Sequence, residues 1–305
     1  MLTTKPARKK PFTLQRQQEL WAYAFLLIPL VFFLYIRIYP IFSSFYISLR
    51  EWDILSPEKP YVGFANFEKM LRDKSLGKVL LNTLQYVIIC MPIELVLSLA
   101  IALMLNSIQK GAGIYRMLYF IPYVTSTVAV ASVWKWMFMK SGGLINNMLL
   151  ALGMSQQGFL NSSSQALGVV ASNVVWQALG FQIIIFLAGL KQIPKIYYEA
   201  AEIDGATGRQ RFCHVTIPLL NPTIVYLSVM AGIQTLQVFT QVMNISPRGS
   251  GGPLNATNSI VLYIYQKGFQ SFDMGYASAL TVLLFAVIMG VTLFQMKVLN
   301  RKVEY

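Results

Sequence analysis

The sequence contains few of the side chains that soluble enzymes use for chemistry. Only 12% of its 305 residues are charged, and it has two cysteines and one histidine. A typical soluble domain has about a quarter of its residues charged. Cys90 lies in a long apolar run and Cys213 in a polar one, so we expect no disulfide. His214 beside Cys213 lacks the further ligands that a zinc site needs, and no metal site is predicted.

The chain also lacks a nucleotide-binding loop. The pattern G-x-x-x-x-G-K-[S/T] does not occur, so ATP hydrolysis by this chain is not expected. Neither a Ser/His/Asp arrangement nor a pair of carboxylates within the apolar runs is evident, and a lone histidine supports little general base chemistry. We therefore predict that the chain is not an enzyme and binds no cofactor.

Apolar residues make up 55% of the chain, and the mean hydropathy of the whole chain is +0.54. The net charge of +13 forms no basic patch with interleaved aromatic residues, so no nucleic acid partner is expected. Runs of about 20 apolar residues can cross about 30 Å of hydrocarbon. Six such runs predict an all-α, polytopic membrane protein: 21–39, 79–105, 117–138, 166–190, 219–243 and 274–296.

Six crossings place both termini on one side of the membrane, and basic residues indicate which side. Short cytoplasmic segments are enriched in Lys and Arg. The first external segment carries basic residues as well: Arg50, Lys59, Lys69, Arg72 and Lys74. We predict cytosolic termini, a cytosolic segment 1–20 with a short interfacial helix, and a six-span domain over 21–305. The prediction rests on Lys5, Arg8, Lys9, Lys10, Arg16, Lys110, Arg116, Lys191, Lys195, Arg209, Arg211, Arg301 and Lys302.

A compact polar segment separates the fourth and fifth runs. Pro194 suits the first turn of a helix over 195–203, and Gly205 suits its end. Thr207 is placed to cap a second helix that reaches about Thr216. Small residues midway along the first helix would let another surface approach closely. The segment is therefore either a docking element or an ordinary helical hairpin joining two spans.

Polar side chains recur at helical spacing in the fourth and fifth runs. Amides beside aromatic rings suit a neutral polyhydroxylated ligand, but amides also join membrane helices by hydrogen bonds. The residues alone favour neither reading. Glu94, two residues after Pro92, is read as structurally paired or snorkelling, because a proton relay would need further carboxylates. The candidate path residues are Asn173, Trp176, Gln177, Gln182, Gln234, Gln237 and Gln241.

The segment between the fourth and fifth runs resembles the EAA loop of permease subunits in binding-protein-dependent carbohydrate ABC importers of the maltose and glycerol-phosphate type. Further landmarks shared with sugar permeases are Gly-Phe-Ala-Asn-Phe at 63–67, the run 118–138 and Gly-Gly-Pro at 251–253, in an external loop read as flexible. The EAA loop, about 191–218, carries the resemblance through Glu199, Ala200, Ala201, Asp204, Gly205, Ala206, Ile217 and Pro218.

The resemblance implies a type I ABC importer permease fold in the bacterial cytoplasmic (inner) membrane. It implies that the EAA loop couples to a dimeric cytosolic ATPase, which binds ATP and Mg. It also implies a second permease subunit and an external solute-binding protein that delivers a carbohydrate, imported by alternating access. The fourth, fifth and last spans would line the path, near a turn at Gly180. The alternatives are an ion-coupled secondary transporter and a structural membrane scaffold. The ion-coupled transporter would show intramembrane carboxylates or inverted repeats with broken helices, and the spans supply neither convincingly.

Overall fold

The computed structural model describes residues 14–108 and 111–299. Within these ranges the only β contacts are two isolated bridges, Arg50 with Tyr61 and Asp53 with Asp273. The all-α prediction is thus confirmed.

The basic residues at 5–10, 110, 301 and 302 lie outside the described ranges, as do residues 1–13 of the predicted N-terminal segment. In chain order the helices are α1 Leu14–Phe33, α2 Tyr39–Ser48, α3 Ala65–Arg72, α4 Lys74–Ser107, α5 Ala112–Val124, α6 Thr127–Met137, α7 Leu144–Ala151, α8 Ala166–Gln192, α9 Lys195–Ile203, α10 Gly208–Arg211, α11 Ile217–Leu219, α12 Asn221–Leu236, α13 Thr240–Ile245, α14 Ile260–Tyr265 and α15 Met274–Leu299.

Four of the described segments are single helices long and apolar enough to cross a membrane. They are Arg16–Ser48, Lys74–Ser107, Ala166–Gln192 and Met274–Leu299. The first joins α1 to α2 through a π-helical turn at Leu34–Ile38. α4 continues through Pro92 without a break. Membrane helices tolerate an internal proline because neighbouring groups satisfy the backbone atoms that it leaves without a hydrogen bond.

The third and fifth predicted spans are not straight helices. Gly113–Val124 and Thr127–Met137 meet at 92°, and Gly208–Leu219 meets Asn221–Leu236 at 67°. The described chain therefore has four spans, or six if each bent pair crosses the membrane. The expectation of unbroken helices over 117–138 and 219–243 is wrong. At the first bend the backbone of Thr125 is extended, with a ψ of 146°, and this ends α5.

α4 and α8 form the centre of the bundle. Near its middle, Cys90 and Ala131 pack against Val170 and Val242. At one end, α4 packs on α14 and α15 through Val79, Ile260 and Leu280. At the other end, Ala102 and Leu105 pack with Ile183, Leu190 and Leu220 beside the EAA loop. The helices that flank the EAA loop are thus fixed directly to the core.

The glycine-containing loop before α14 is packed into the bundle, contrary to the expectation of a flexible loop. The amide of Asn82 on α4 donates to the carbonyls of Asn255 at 2.6 Å and Asn258 at 3.1 Å. The hydroxyl of Tyr86 donates to the carbonyl of Thr257 at 3.0 Å. Burial of these loop residues requires such partners, because an unpaired buried backbone group is costly.

Asp73 joins three elements at the end of the bundle opposite the EAA loop. Its carboxylate accepts hydrogen bonds from the hydroxyls of Tyr263 and Tyr276, each at 2.6 Å, and from the amide of Ser75 at 2.9 Å. Partial burial acts to raise the pKa of Asp73, but these hydrogen bonds and the nearby Lys267 outweigh it and lower the pKa below 3.8.

Replacing Asp73 with alanine is expected to destabilise the purified protein by about 1 to 3 kcal/mol, the usual contribution of hydrogen bonds to a charged group. Because the folded pKa is depressed, the wild type keeps this contribution above pH 3.8 and loses it as the pH falls through the folded pKa. Thermal unfolding measured from neutral to acidic pH checks both points. The Tyr263→Phe variant should show part of the loss. Equal stability of Asp73→Ala and wild type at neutral pH would contradict the assignment.

Candidate functional site

The EAA loop folds as a helix, a tight turn and a second helix, as its sequence predicts. Pro194 is extended and precedes α9, whose last residue is Ile203, with Asp204 as its C-cap. Gly205 then adopts a left-handed φ of +76° and donates its N–H to the carbonyl of Glu202 at 3.0 Å. Thr207 begins α10 with a reciprocal capping box to Gln210. The expected second helix to Thr216 continues from α10 as a π-helical turn over Phe212–Thr216.

Side-chain contacts fasten α9 to the chain that leads into α12. The hydroxyls of Tyr198 and Thr216 lie 3.0 Å apart, and Thr216 is buried. A salt bridge of 3.5 Å joins Arg211 to Glu202, but its exposure makes it weak. The Tyr198–Thr216 hydrogen bond is therefore the firmer of the two links between α9 and the following helices.

The outer surface of α9 is exposed. None of its residues is buried, and two large apolar side chains, Ile196 and Ile203, are 67% and 86% exposed. Glu199 and Ala200 are exposed beside them, while Ala201 and Ala206 are half-buried. Ile217 and Pro218 are half-buried where the segment turns into α12. An exposed apolar helix face with small residues at its centre is suited to contact with another protein.

A second feature is a polar cavity of about 300 Å³ within the bundle, at the lower end of the range for ligand sites. Residues of α4, α5, α6, α8, α12 and α13 line it. The lining residues are Glu94, Tyr123, Thr127, Val174, Gln177, Ala178, Gln234, Thr235, Gln237, Val238 and Gln241.

The cavity brings together four of the glutamines expected to line a path. The amide of Gln177 donates to the hydroxyl of Thr127 at 3.1 Å, and Gln241 donates to Gln177 at 3.4 Å. The fifth span is broken here, since α12 ends at Leu236 and α13 starts at Thr240. Gln234, Gln237 and Gln241 therefore do not form the continuous helical stripe that their spacing suggested, but all three reach the cavity.

The other four candidate path residues lie elsewhere in α8. Asn173 is fully buried, and neither of its amide atoms has a hydrogen-bond partner among the described residues. Trp176 faces away from the cavity, 39% exposed, with its ring centroid 5.1 Å from that of Trp134. α8 is continuous through Gly180, so there is no turn there. Gln182 lies behind the wall of the cavity.

Gln182 holds Glu94 in place. Its amide nitrogen donates to Glu94 Oε2 at 2.9 Å, and its oxygen accepts from the hydroxyl of Ser98 at 3.1 Å. Glu94 is 1% exposed, so the snorkelling expected as one possibility does not occur. The expected structural pairing does occur, and the carboxylate also belongs to the cavity lining.

Sequence patterns alone missed Tyr123, Thr127 and Thr235 as lining residues. Tyr123 stacks on Phe181 at 5.3 Å between ring centroids. Tyr123 and Thr127 flank the bend between α5 and α6, which turns both side chains towards α8. The sequence signal that could have located the bend is Pro122 together with Thr-Ser-Thr at 125–127.

The protein has apolar spans, a polar cavity between them, and an exposed helix in the loop that joins two of the cavity-lining helices. Together these features define a membrane transport subunit. The chain is 36% identical over 293 residues to the probable ABC transporter permease protein YesP of Bacillus subtilis, covering 95% of this chain and 94% of that protein. It is 32% identical to the trehalose/maltose transport system permease protein MalF of Thermococcus litoralis, covering 86% and 87%. A bacterial ABC transporter involved in the import of the acidic polysaccharide alginate has the same fold, with a TM-score of 0.80 over 94% of this chain and 98% of that chain at 24% identity.

Residues 64–305 match the family described as "Binding-protein-dependent transport system inner membrane component". The chain belongs to this family. It is therefore a multi-pass transport component with the type I ABC importer permease fold, and not an ion-coupled secondary transporter or a structural scaffold. Two helix pairs of the described chain are bent, so broken helices by themselves do not separate the two classes of transporter.

Proposed function

We propose that this chain is the permease subunit of an ATP-driven carbohydrate importer, acting with a second permease, a dimeric ATPase and an external solute-binding protein. ATP and Mg would be bound by the ATPase. A carbohydrate as the solute is supported by the amide and hydroxyl groups of the cavity and by the stacked rings of Tyr123 and Phe181. It is supported further by the relative named for trehalose and maltose transport.

The observation that carries the proposal is the position of the EAA loop between the two helices that supply much of the cavity. α8 contributes Val174, Gln177 and Ala178, and α12 contributes Gln234 and Thr235. The loop leaves the end of α8 and enters α12 after Leu220. A force on α9 would therefore move two walls of the cavity relative to α4, which is what alternating access requires.

We further propose that the EAA loop and both termini face the cytosol of a bacterium with the chain in its cytoplasmic membrane. Lys191, Lys195, Arg209 and Arg211 on and beside the loop support this orientation. The ATPase would then contact α9, and the binding protein would contact the opposite end of the bundle, around 42–78 and 244–273.

A cysteine at Ile203 is expected to cross-link to the ATPase subunit in the assembled transporter, because this side chain is the most exposed apolar group of α9. Cys213 is exposed and should be replaced by serine first, whereas Cys90 is buried. Leu55→Cys, 76% exposed at the opposite end of the bundle, is the matched control and should give no ATPase cross-link. Equal cross-linking at both positions, or none at Ile203, would contradict the docking role of α9.

The solute itself is tested by a thermal-shift screen of neutral mono- and oligosaccharides on the partner binding protein. Uptake of the stabilising sugar by the complete system should follow, and should stop when the ATPase is inactivated. A system that binds and imports no carbohydrate in this screen would contradict the proposed solute class.

A further inference from the structure

One side chain on α8 makes hydrogen bonds to both of the interrupted spans. The amide nitrogen of Gln177 donates to the hydroxyl of Thr127 at 3.1 Å and to the carbonyl of Thr125 at 3.4 Å. Its amide oxygen accepts from the amide of Gln241 at 3.4 Å. Thr125 and Thr127 flank the bend between α5 and α6, and Gln241 follows the break between α12 and α13. Gln177 therefore joins a continuous helix to the third and fifth spans at the points where these spans are interrupted.

The backbone at both interruptions is not helical. Ser126 has a φ of −53° and a ψ of 121°, and Phe239 has a φ of −135° and a ψ of −61°. Residues at the ends of helices that absorb changes of φ and ψ are the usual hinges of moving proteins. Movement of α5 or α12 would therefore reach α6 or α13 poorly through the backbone, and side-chain contacts are needed to transmit it.

α6 and α13 pack on each other beyond the two interruptions. Ala131 of α6 and Val242 of α13 are fully buried in the same apolar cluster. Among the described residues, two hydrogen-bonded contacts join this pair of helices to α8. One is made by Gln177, and the other by the indole of Trp134, which donates to the exposed hydroxyl of Ser172 at 3.1 Å. Gln177 is only 7% exposed, so it is the buried one of the two.

The burial of Gln177 makes its hydrogen bonds hard to exchange for bonds to water. A buried amide that loses its partners is unfavourable, so the three bonds favour one arrangement of α8, α6 and α13. α8 continues without a break from Gln177 to its end at Gln192, where the EAA loop begins. A shift of α8 would then carry α6 and α13 with it.

We propose that Gln177 is a positioning residue that makes α6 and α13 follow α8 during transport. The EAA loop moves α12 directly, and Gln177 moves α13, which is the other half of the fifth span. The cavity walls on both sides of each interruption then move together. The inference rests on the proposed function, in which a force on α9 moves α8 and α12.

Replacing Gln177 with leucine removes all three bonds and keeps a side chain of similar size. The complete transporter, in liposomes with its binding protein, should then import about fivefold less sugar per ATP hydrolysed, or less still. The probes are radiolabelled maltose, cellobiose and arabinobiose, and ATPase activity is measured on the same liposomes. A loss of folded subunit would lower import and hydrolysis together, so it would leave their ratio unchanged.

Gln85→Leu is the matched control. Gln85 is exposed on α4 and does not line the cavity, and the substitution makes the same chemical change. This variant should keep the wild-type ratio of import to hydrolysis.

Two variants remove the bonds of Gln177 one at a time, so the test does not depend on assembly of Gln177→Leu. Gln241→Leu removes the bond to α13, and Thr127→Val removes the bond to α6. Each should lower the ratio of import to hydrolysis. Gln241→Leu should add little to Gln177→Leu, because both remove the same bond and their effects are not additive.

A reversible cross-link tests whether the contact between α8 and α13 is kept throughout the cycle. With Cys213 replaced by serine, the pair Gln177→Cys and Gln241→Cys should show the low ratio. A short bis-methanethiosulfonate linker between the two cysteines should restore most of the loss, and reduction of the linker should reverse the gain.

A wild-type ratio in Gln177→Leu and in both single-bond variants would overturn the inference, and so would a further loss of import on cross-linking. In either case the proposed function stands, provided that the wild type imports a probe and hydrolyses ATP to do so. If the wild type imports none of the probes, or imports them without ATP, the proposed function fails.

Discussion

Replacing Gly205 with proline is expected to reduce solute uptake by about tenfold or more while leaving the subunit inserted in the membrane. Gly205 has a φ of +76°, which the proline ring excludes, and its N–H bonds the carbonyl of Glu202. Proline would therefore open the turn that joins α9 to α10. The ATPase would still hydrolyse ATP, but α9 would no longer transmit its movement to α12. Uptake and ATPase activity, measured on the same reconstituted transporter, check this.

Gly205→Asn is the matched control for this turn. A Cβ at Gly205 meets nothing within 4 Å, and asparagine adopts the left-handed conformation more readily than other residues with a side chain. The variant should therefore transport nearly as the wild type. Charge reversal by Glu199→Lys, on the exposed face of α9, should also uncouple ATPase activity from uptake. Normal uptake by Gly205→Pro would refute the coupling role of the loop.

Substitution of Gly180 by valine is expected to cost about 1 to 3 kcal/mol of stability and to abolish uptake. α8 and α5 approach closely at this glycine. A Cβ there would lie 3.0 Å from Phe120 Cα and closer still to the carbonyl oxygen of Tyr119. Small residues allow such contacts between membrane helices. Valine would push α5 away from α8 and move Tyr123, which lines the cavity.

Gly168→Val on the same helix is the control for helix propensity and added volume. Gly168 is exposed, and its Cβ would meet nothing within 4 Å. Thermal unfolding and uptake of the two variants should differ clearly, with Gly168→Val close to the wild type. Similar behaviour of both variants would show that the α5–α8 contact is unimportant.

The EAA loop was largely predictable because its signals are local. Pro194, Gly205 and Thr207 each favour one backbone conformation through their own side chain or lack of one, and the structure places helix start, turn and cap at those positions. The cavity was only partly predictable. Trp176 and Gln177 lie three and four residues after Asn173, at helical spacing, but of these three only Gln177 lines the cavity, and Trp176 stacks on Trp134 instead. Spacing identifies a face of a helix and not what that face contacts.

The sequence by itself determined that the chain is a helical membrane protein with a compact polar helix–turn–helix loop between two of its spans. A long apolar run favours a membrane helix, and the residues of the loop favour its turn and caps. Both effects arise from residues close together in the chain and need no distant contact. The tertiary structure alone decided which polar groups meet. It brought Tyr123 and Thr127 against α8 and joined Glu94 to Gln182 across 88 positions of the chain. Such contacts depend on how helices pack against each other, and that packing is not encoded in any local pattern.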